Sequence, residues 1–382
     1  MSNEKILIIR NAASYDFGGG ERFPVFLAQA LSRKNIPTVI VSRSKKLRDF
    51  SQESNIPTIK GWWLSKQQWS GVNNIFIPLY LIWQIILFIY YFVLVHRLKP
   101  TTLHIQSKDD FIAATYAGKL LGKRIIWTDH ADLKHVWCNL SVWYKNPIGK
   151  MVHRAARYVD AITVVSQSEQ AFITERLPTE SKVSKKITVV YNGVVDTSSN
   201  YPAKKEPVFI FLVASRLVKD KGIQEVIAAF SELHAKYPET ELHIIGDGPD
   251  AQLFKNQSAN IPSIKLLGHQ SQPLSFMASA DVFVHPTYHE GFSVALVEAG
   301  MMSLPIIATS VGGNVEIIKN KVTGLLVPAK DSSSLLSAME DLLNDTALRK
   351  RIAENARKQY LDKFQFNDIV DEQFIPLYRG AS

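Results

Sequence analysis

Short runs of β-branched and aliphatic residues alternate along the whole chain with longer stretches whose apolar positions recur at helical spacing. A run of four to six such residues suits a strand buried on both faces, and a helix-length connection is what joins two parallel neighbours. The pattern predicts strands at residues 6–9, 38–41, 102–105, 124–127, 161–165 and 187–190, then at 208–213, 241–245, 264–267, 281–285, 304–308 and 324–327. Each set suffices for one doubly wound sheet, so the expectation is an α/β protein of two Rossmann-like domains. Between them, residues 195–207 carry two prolines, two lysines and the run Thr197, Ser198, Ser199, Asn200, the composition of a linker. Asp331 and Ser332 are positioned to cap a helix over 333–343. The expected domains are residues 1–198, residues 199–362, and a C-terminal helix over 363–382 that crosses back to the first.

One stretch breaks the alternation. Residues 75–95 contain no charge, and His96, Arg97 and Lys99 follow directly. By length this is a membrane-span candidate. A span would put residues 1–74 and residues from 102 onward on opposite sides of a bilayer, dividing strands expected in one sheet. Two readings survive: a helix buried in the first domain, or a partly exposed helix whose apolar face lies in a membrane interface. The second is favoured, because a helix this apolar has more greasy surface than one sheet face covers. Tyr80, Trp83, Tyr90 and Tyr91 suit an interface, and Trp62, Trp63 and Trp69, with Lys60 and Lys66 among them, extend it; the expected membrane contact runs through residues 60–99.

Composition changes the picture in two places. The net charge of +9 over 382 residues is uneven, with 26 Lys+Arg against 14 Asp+Glu up to residue 198 and 18 against 21 after it. The first half therefore expects an anionic partner, lipid headgroups or nucleic acid. The single cysteine, Cys138, builds neither a disulfide nor a metal cluster, and no signal-peptide pattern opens the chain, so the expectation is cytoplasmic, peripheral on the inner face of the cytoplasmic membrane.

Candidate chemistry gathers where strands end. After the first strand, Phe17-Gly18-Gly19-Gly20-Glu21-Arg22 opens a helix, and small residues at a helix N-terminus let backbone N–H groups approach a phosphate. This is not the GxGxxG of dinucleotide enzymes. In the second half Arg216 and Lys221 follow a strand directly, where two cations could hold a diphosphate and stabilise the charge that grows on it as a sugar leaves. Further on, His289-Glu290-Gly291-Phe292-Ser293 turns into an apolar helix bearing Glu298, about two turns past Glu290.

The set Gly18-Gly19-x-Glu21, Asn192-Gly193-Val194, Arg216-x4-Lys221, Gly246-Asp247-Gly248-Pro249 and Glu290-x7-Glu298 resembles the retaining glycosyltransferases of family 4. The resemblance covers essentially the whole chain and is most specific over residues 187–330. It implies the GT-B fold, two Rossmann-like domains facing each other across a cleft. It implies that Arg216 and Lys221 bind the donor diphosphate, Glu298 the ribose, and Glu290 with Gly291, Phe292 and Ser293 the donor sugar. Gly19 and Gly20 would approach the diphosphate, and His130, after a first-domain strand, matches the family's active-site histidine. Here the sequence departs from the family pattern: Ala131 stands between His130 and Asp132, which leaves the role of Asp132 open.

The function so implied is transfer of a hexose from a UDP- or GDP-linked donor to a membrane-associated glycan or lipid-linked acceptor, as in lipopolysaccharide or other surface-polysaccharide biosynthesis. Front-face attack would retain the anomeric configuration, without a cofactor or a metal; no Asp-x-Asp motif is present, and Arg216 and Lys221 would replace a divalent cation. Two alternatives stay open: a GT-B epimerase acting on UDP-N-acetylhexosamine, and a non-catalytic nucleic-acid- or sugar-binding protein. No nucleic-acid module is visible, so nucleic acid is not an expected partner.

Overall fold

The computed structural model describes residues 4–11, 19–61, 77–130, 147–177, 181–202 and 207–380. They form two compact units, one of Met1–Val190 with Val370–Ser382, the other of Tyr191–Ile369. The strands of the first are β1 (Ile6–Ile9), β2 (Thr38–Ser42), β3 (Thr58–Lys60), β4 (Thr102–Ile105), β5 (Arg124–Asp129), β6 (Ala161–Val164) and β7 (Ile187–Val189), in the order β3-β2-β1-β4-β5-β6-β7. Those of the second are β8 (Phe209–Ala214), β9 (Thr240–Ile245), β10 (Ile264–Gly268), β11 (Val282–His285), β12 (Ile306–Thr309) and β13 (Leu325–Val327), in the order β10-β9-β8-β11-β12-β13. Every pairing is parallel. Each sheet therefore reverses its strand order once, between β1 and β4 and between β8 and β11, and those two points are where ligands gather in this architecture.

β3 is the strand that the hydrophobic pattern does not predict. Three residues long, at a sheet edge and half-buried, it carries one aliphatic side chain, Ile59, and so leaves no apolar run to read. The unit boundary also lies earlier than the expected linker. Val194 bridges to Gln365, and Arg357 Nη2 pairs with Asp196 at 2.6 Å, which ties the start of the linker stretch into the second unit. At the other end the chain rejoins the first unit from Val370. There Arg124 Nε donates to the Leu377 carbonyl at 2.5 Å, Tyr378 Oη meets His104 Nδ1 at 2.8 Å, and Arg379 pairs with Glu4. The C-terminal cap reading holds in detail: Asp331 accepts from the Ser334 amide at 2.9 Å and starts the helix Ser332–Asn344.

The apolar stretch forms the helix Ile77–Leu98, joining β3 to β4. Strands on both sides of it pair within one sheet, so its two ends belong on the same side of any bilayer. Tyr80, Gln84, Leu87, Tyr91 and Val95 make its buried face, spaced as one stripe of an α-helix. This corrects the reading of Tyr80 and Tyr91 as interfacial: both face the core. Tyr91 is held there by a polar cluster, donating to Asp110 at 2.6 Å while Asn11 Nδ2 donates to the other Asp110 oxygen at 2.9 Å. Outward stand Leu79, Leu81, Ile82, Ile85, Ile86, Ile89 and Val93, all exposed. By length and composition this is a candidate membrane span, and most of its surface is not buried in the fold. Trp62, Trp63, Lys66 and Trp69 lie outside the described residues, as does Cys138.

Candidate functional site

In the second unit the site is built from the loops that leave β8 and β11, on the two sides of the switch point. Past β8 the chain makes a short 3-10 turn, Lys219–Lys221, and enters the helix Ile223–Lys236 through Gly222. Gly222 has φ +67°, and a Cβ there would overlap the Pro286 carbonyl just after β11. Only glycine permits both the left-handed backbone and that approach. The two loops are then laced together: the Tyr288 amide donates to the Asp220 carbonyl at 2.8 Å, and the Tyr288 hydroxyl donates to Glu225 at 2.6 Å and bonds Gln224. This lacing brings Lys221 Nζ to 2.7 Å from Glu290 Oε2, although 69 residues separate them.

The same oxygen of Glu290 accepts from His285 Nε2 at 3.3 Å. Burial by itself would push the Glu290 carboxyl up, but the His285 hydrogen bond and the Lys221 charge outweigh it and hold the group down at about 2. Glu290 is therefore an anion at any physiological pH. From the far side the loop after β12 closes on it. The Gly313 amide donates to the Glu290 carbonyl at 3.1 Å, and Gly312, at φ +47°, sits where any Cβ would overlap that carbonyl. His285, the last residue of β11, was read only as a strand residue. The signal that could have found it is a histidine at a strand's carboxyl end five residues before a candidate acid.

Of the other sequence candidates in this unit, Arg216 lies exposed two residues past β8. Glu298 is half-buried in the helix Val294–Met301, beyond Glu290 on the β11 side. These positions put Arg216, Lys221, Glu290 and Glu298 past the carboxyl ends of two adjoining strands, β8 and β11, and Lys221 bonds Glu290 directly. The side chains of Phe292 and Ser293 are committed to the fold. Phe292 packs on Tyr191 and Phe364 with ring centres 5.4 and 5.8 Å away, and the Ser293 hydroxyl caps the helix by accepting from the Leu296 amide at 3.3 Å. What they retain for a ligand is backbone, as at Gly291.

In the first unit, Gly19 and Gly20 are the opening residues of the helix Gly19–Arg33, where amide groups have no partner within the helix. Gly18, Ala131 and Asp132 lie outside the described residues. His130 directly follows β5, with its ring edge-on to Phe23 at 5.1 Å. Among the described residues its Nε2 has no hydrogen-bond partner. Burial, reinforced by the neighbouring Arg10 and His104, holds its pKa well below the ordinary imidazole value, so it is a neutral ring.

Two family models match the chain nearly end to end, Glycosyltransferase Family 4 over residues 17–198 and Glycosyl transferases group 1 over residues 195–359. The chain belongs to the glycosyltransferase family that they describe. It is 31% identical over 236 residues to the capsular polysaccharide biosynthesis glycosyltransferase CapM of Staphylococcus aureus, a match covering 57% of this chain and 61% of that protein. The chain thus spans about three-fifths of that relative's length. Among solved structures it is similar to a glycosyltransferase from Rickettsia africae, with a TM-score of 0.78 and 20% identity over 99% of both chains. It is also similar to Anabaena HepE in complex with UDP and glucose, with a TM-score of 0.76 and 17% identity over 98% of this chain and 99% of that one. The fold class is α/β of the GT-B type.

Proposed function

We propose that this protein transfers a hexose from a UDP-linked donor to a hydroxyl of a membrane-associated glycan or lipid-linked acceptor in surface-polysaccharide synthesis, with retention at the anomeric carbon. The observation that carries the reading is the Lys221–Glu290 pair at the β8/β11 switch point, a cation and an anion fixed within one small site by backbone packing. With no donor bound, the two neutralise each other. An incoming diphosphate competes for Lys221, and Arg216 adds a second cation at the same edge. Glu290, kept ionised, then accepts from sugar hydroxyls, and Glu298 from the ribose. As the bond between the anomeric carbon and the phosphate oxygen breaks, negative charge grows on the diphosphate, and the two cations stabilise it more than they stabilise the intact donor. The acceptor oxygen bonds to the anomeric carbon on the face being vacated, and its proton passes to the departing diphosphate. The positive charge needed is supplied by the protein, so transfer persists in EDTA.

The acceptor side of the proposal rests on the helix Ile77–Leu98. A row of exposed aliphatic side chains ending in exposed His96, Arg97 and Lys99 suits a monotopic contact, with the apolar face in the acyl boundary and the basic end at anionic headgroups. HepE, bound to UDP and glucose, is consistent with a UDP-sugar donor. The test is a panel of nucleotide sugars scored by thermal stabilisation and by donor hydrolysis without acceptor. One nucleotide sugar that both stabilises and turns over, with a product of retained configuration on transfer, is the expected result. Release of an epimerised nucleotide sugar, or no response to any donor, overturns it.

A further inference from the structure

The first unit holds a buried side chain that neither the fold nor the mechanism uses. β1, β4 and β5 lie side by side, with Ile8 opposite His104 and His104 opposite Ile126. Two residues on, Arg10, Gln106 and Thr128 form the next row on the same face, since side chains alternate along a strand. The face is identified by His104, whose Nε2 meets Thr128 Oγ1 at 2.5 Å. His130 stands on this face one pleat further, at the carboxyl edge.

Arg10 and Thr128 each have a partner in or beside this row. Thr128 is shared between His104 and Thr163, and Arg10 Nη1 donates to the Gln106 carbonyl at 2.6 Å. The Gln106 carboxamide is different. It is 1% exposed, and among the described residues neither its nitrogen nor its oxygen has a hydrogen-bond partner. Leaving a buried amide unmade lowers stability, and natural proteins keep such a cost where a site uses it. The neighbouring His130 Nε2 is unmatched as well. The Gln106 carboxamide offers both a donor and an acceptor, and the neutral His130 ring a further nitrogen, beside the Arg10 guanidinium that is held on the Gln106 backbone carbonyl; a paired donor and acceptor is the recognition chemistry of a hydroxyl.

We infer that Gln106 is a sugar-specificity residue, its carboxamide taking up a hydroxyl of a hexose that also meets His130. The inference rests on the sugar-transfer reading above and adds to it a residue at the β1/β4 switch point, in the first unit. The hydroxyl belongs either to the donor hexose or to the acceptor sugar, and the chemistry is the same for both.

The test uses Gln106→Met and Gln106→Leu in the full chain, which remove hydrogen bonding and keep apolar bulk. Melting temperature, donor hydrolysis and transfer are measured, with the nucleotide sugar selected from the panel and with octyl glycosides and polyprenyl-diphosphate-linked sugars as acceptors. The expected result is an unchanged or raised melting temperature with a fall on the order of tenfold in kcat/KM for transfer. If hydrolysis falls in step, Gln106 reads the donor hexose; if hydrolysis is retained and the KM for acceptor rises, it reads the acceptor. Unchanged transfer, or a lower melting temperature in both variants, assigns Gln106 to the fold and overturns the inference. A wild-type protein that turns over no nucleotide sugar refutes the underlying transfer reading instead.

Discussion

At the residue scale the chemistry turns on carboxyl groups pushed in opposite directions. Glu290 is depressed to about 2 by His285 and Lys221 against the effect of burial, so the stability it contributes is present above the ordinary carboxyl range and is lost as pH falls from about 4.5 toward 2. Replacing its cation, Lys221→Met, leaves a half-buried anion with only the His285 contact in place of the ion pair. Donor hydrolysis is expected to fall about ten- to hundredfold, the value of a charge-assisted hydrogen bond, while Lys221→Arg retains part of it; steady-state kinetics on the three proteins checks this. Asp110 goes the other way. Burial pushes its carboxyl up to about 7, against the hydrogen bonds from Tyr91 and Asn11 and the charge of Arg43, with Asp109 adding to the rise. A folded-state pKa raised above the unfolded value favours the neutral form, so the contribution of Asp110 to stability is fully present below about pH 4 and is lost as pH rises to about 7. Urea unfolding should show a loss on the order of 1 kcal/mol per pH unit within that window. Asp110→Asn should flatten the slope and leave the protein more stable than wild type at pH 8.

At the scale of elements, the strand pattern was legible because parallel strands buried on both faces leave unbroken aliphatic runs such as Ile6–Ile9 and Phe209–Ala214. Positions of Lys221 and Glu290 after strands were legible too. Their bond was not, because it depends on Gly222 and Gly312 permitting loops from separate strands to meet backbone to backbone, a three-dimensional fact with no local signature. The helix Ile77–Leu98 was half legible. Its lack of charge announced an unusual surface, but a sequence apolar on every side cannot say which side the fold covers; Tyr91 turns inward because Asp110 and Asn11 are there to bond its hydroxyl. The exposed side is testable. Ile82, Ile85 and Ile89 are 55%, 59% and 56% exposed, so converting each to Gln removes no core contact. Binding to phosphatidylglycerol-containing vesicles should weaken by about tenfold for each residue that the membrane buries, with no loss of melting temperature. Vesicle sedimentation that does not change would detach the helix from the membrane reading.

At the scale of the whole molecule the chain is not two beads in sequence. The first unit is discontinuous, since Val370–Ser382 completes what Met1–Val190 begins. That return is well anchored: Phe374, Ile375, Leu377 and Tyr378 are buried, Phe374 lies against both Phe23 and His104, and Lys34 pairs with Asp371 at 2.6 Å. Its loss would expose the ring of Phe23 and leave His104 Nδ1 without the Tyr378 hydroxyl. His104 is fully buried and its pKa is depressed by burial to about 3, so it is neutral and depends on hydrogen bonds rather than on charge. Each large side chain removed is worth about 1.5–3 kcal/mol of burial, and four of them rival the whole stability of an ordinary domain, roughly 5–15 kcal/mol. Ending the chain after Ile369 should therefore abolish or sharply lower the calorimetric transition of the first unit. The transition of Tyr191–Ile369 should persist, because that unit contains its own sheet and core. Proteolysis of the truncated protein should digest the first unit and spare the second. Two unaltered transitions would mean that the returning segment is ornament, and that the first unit closes its hydrophobic face without it.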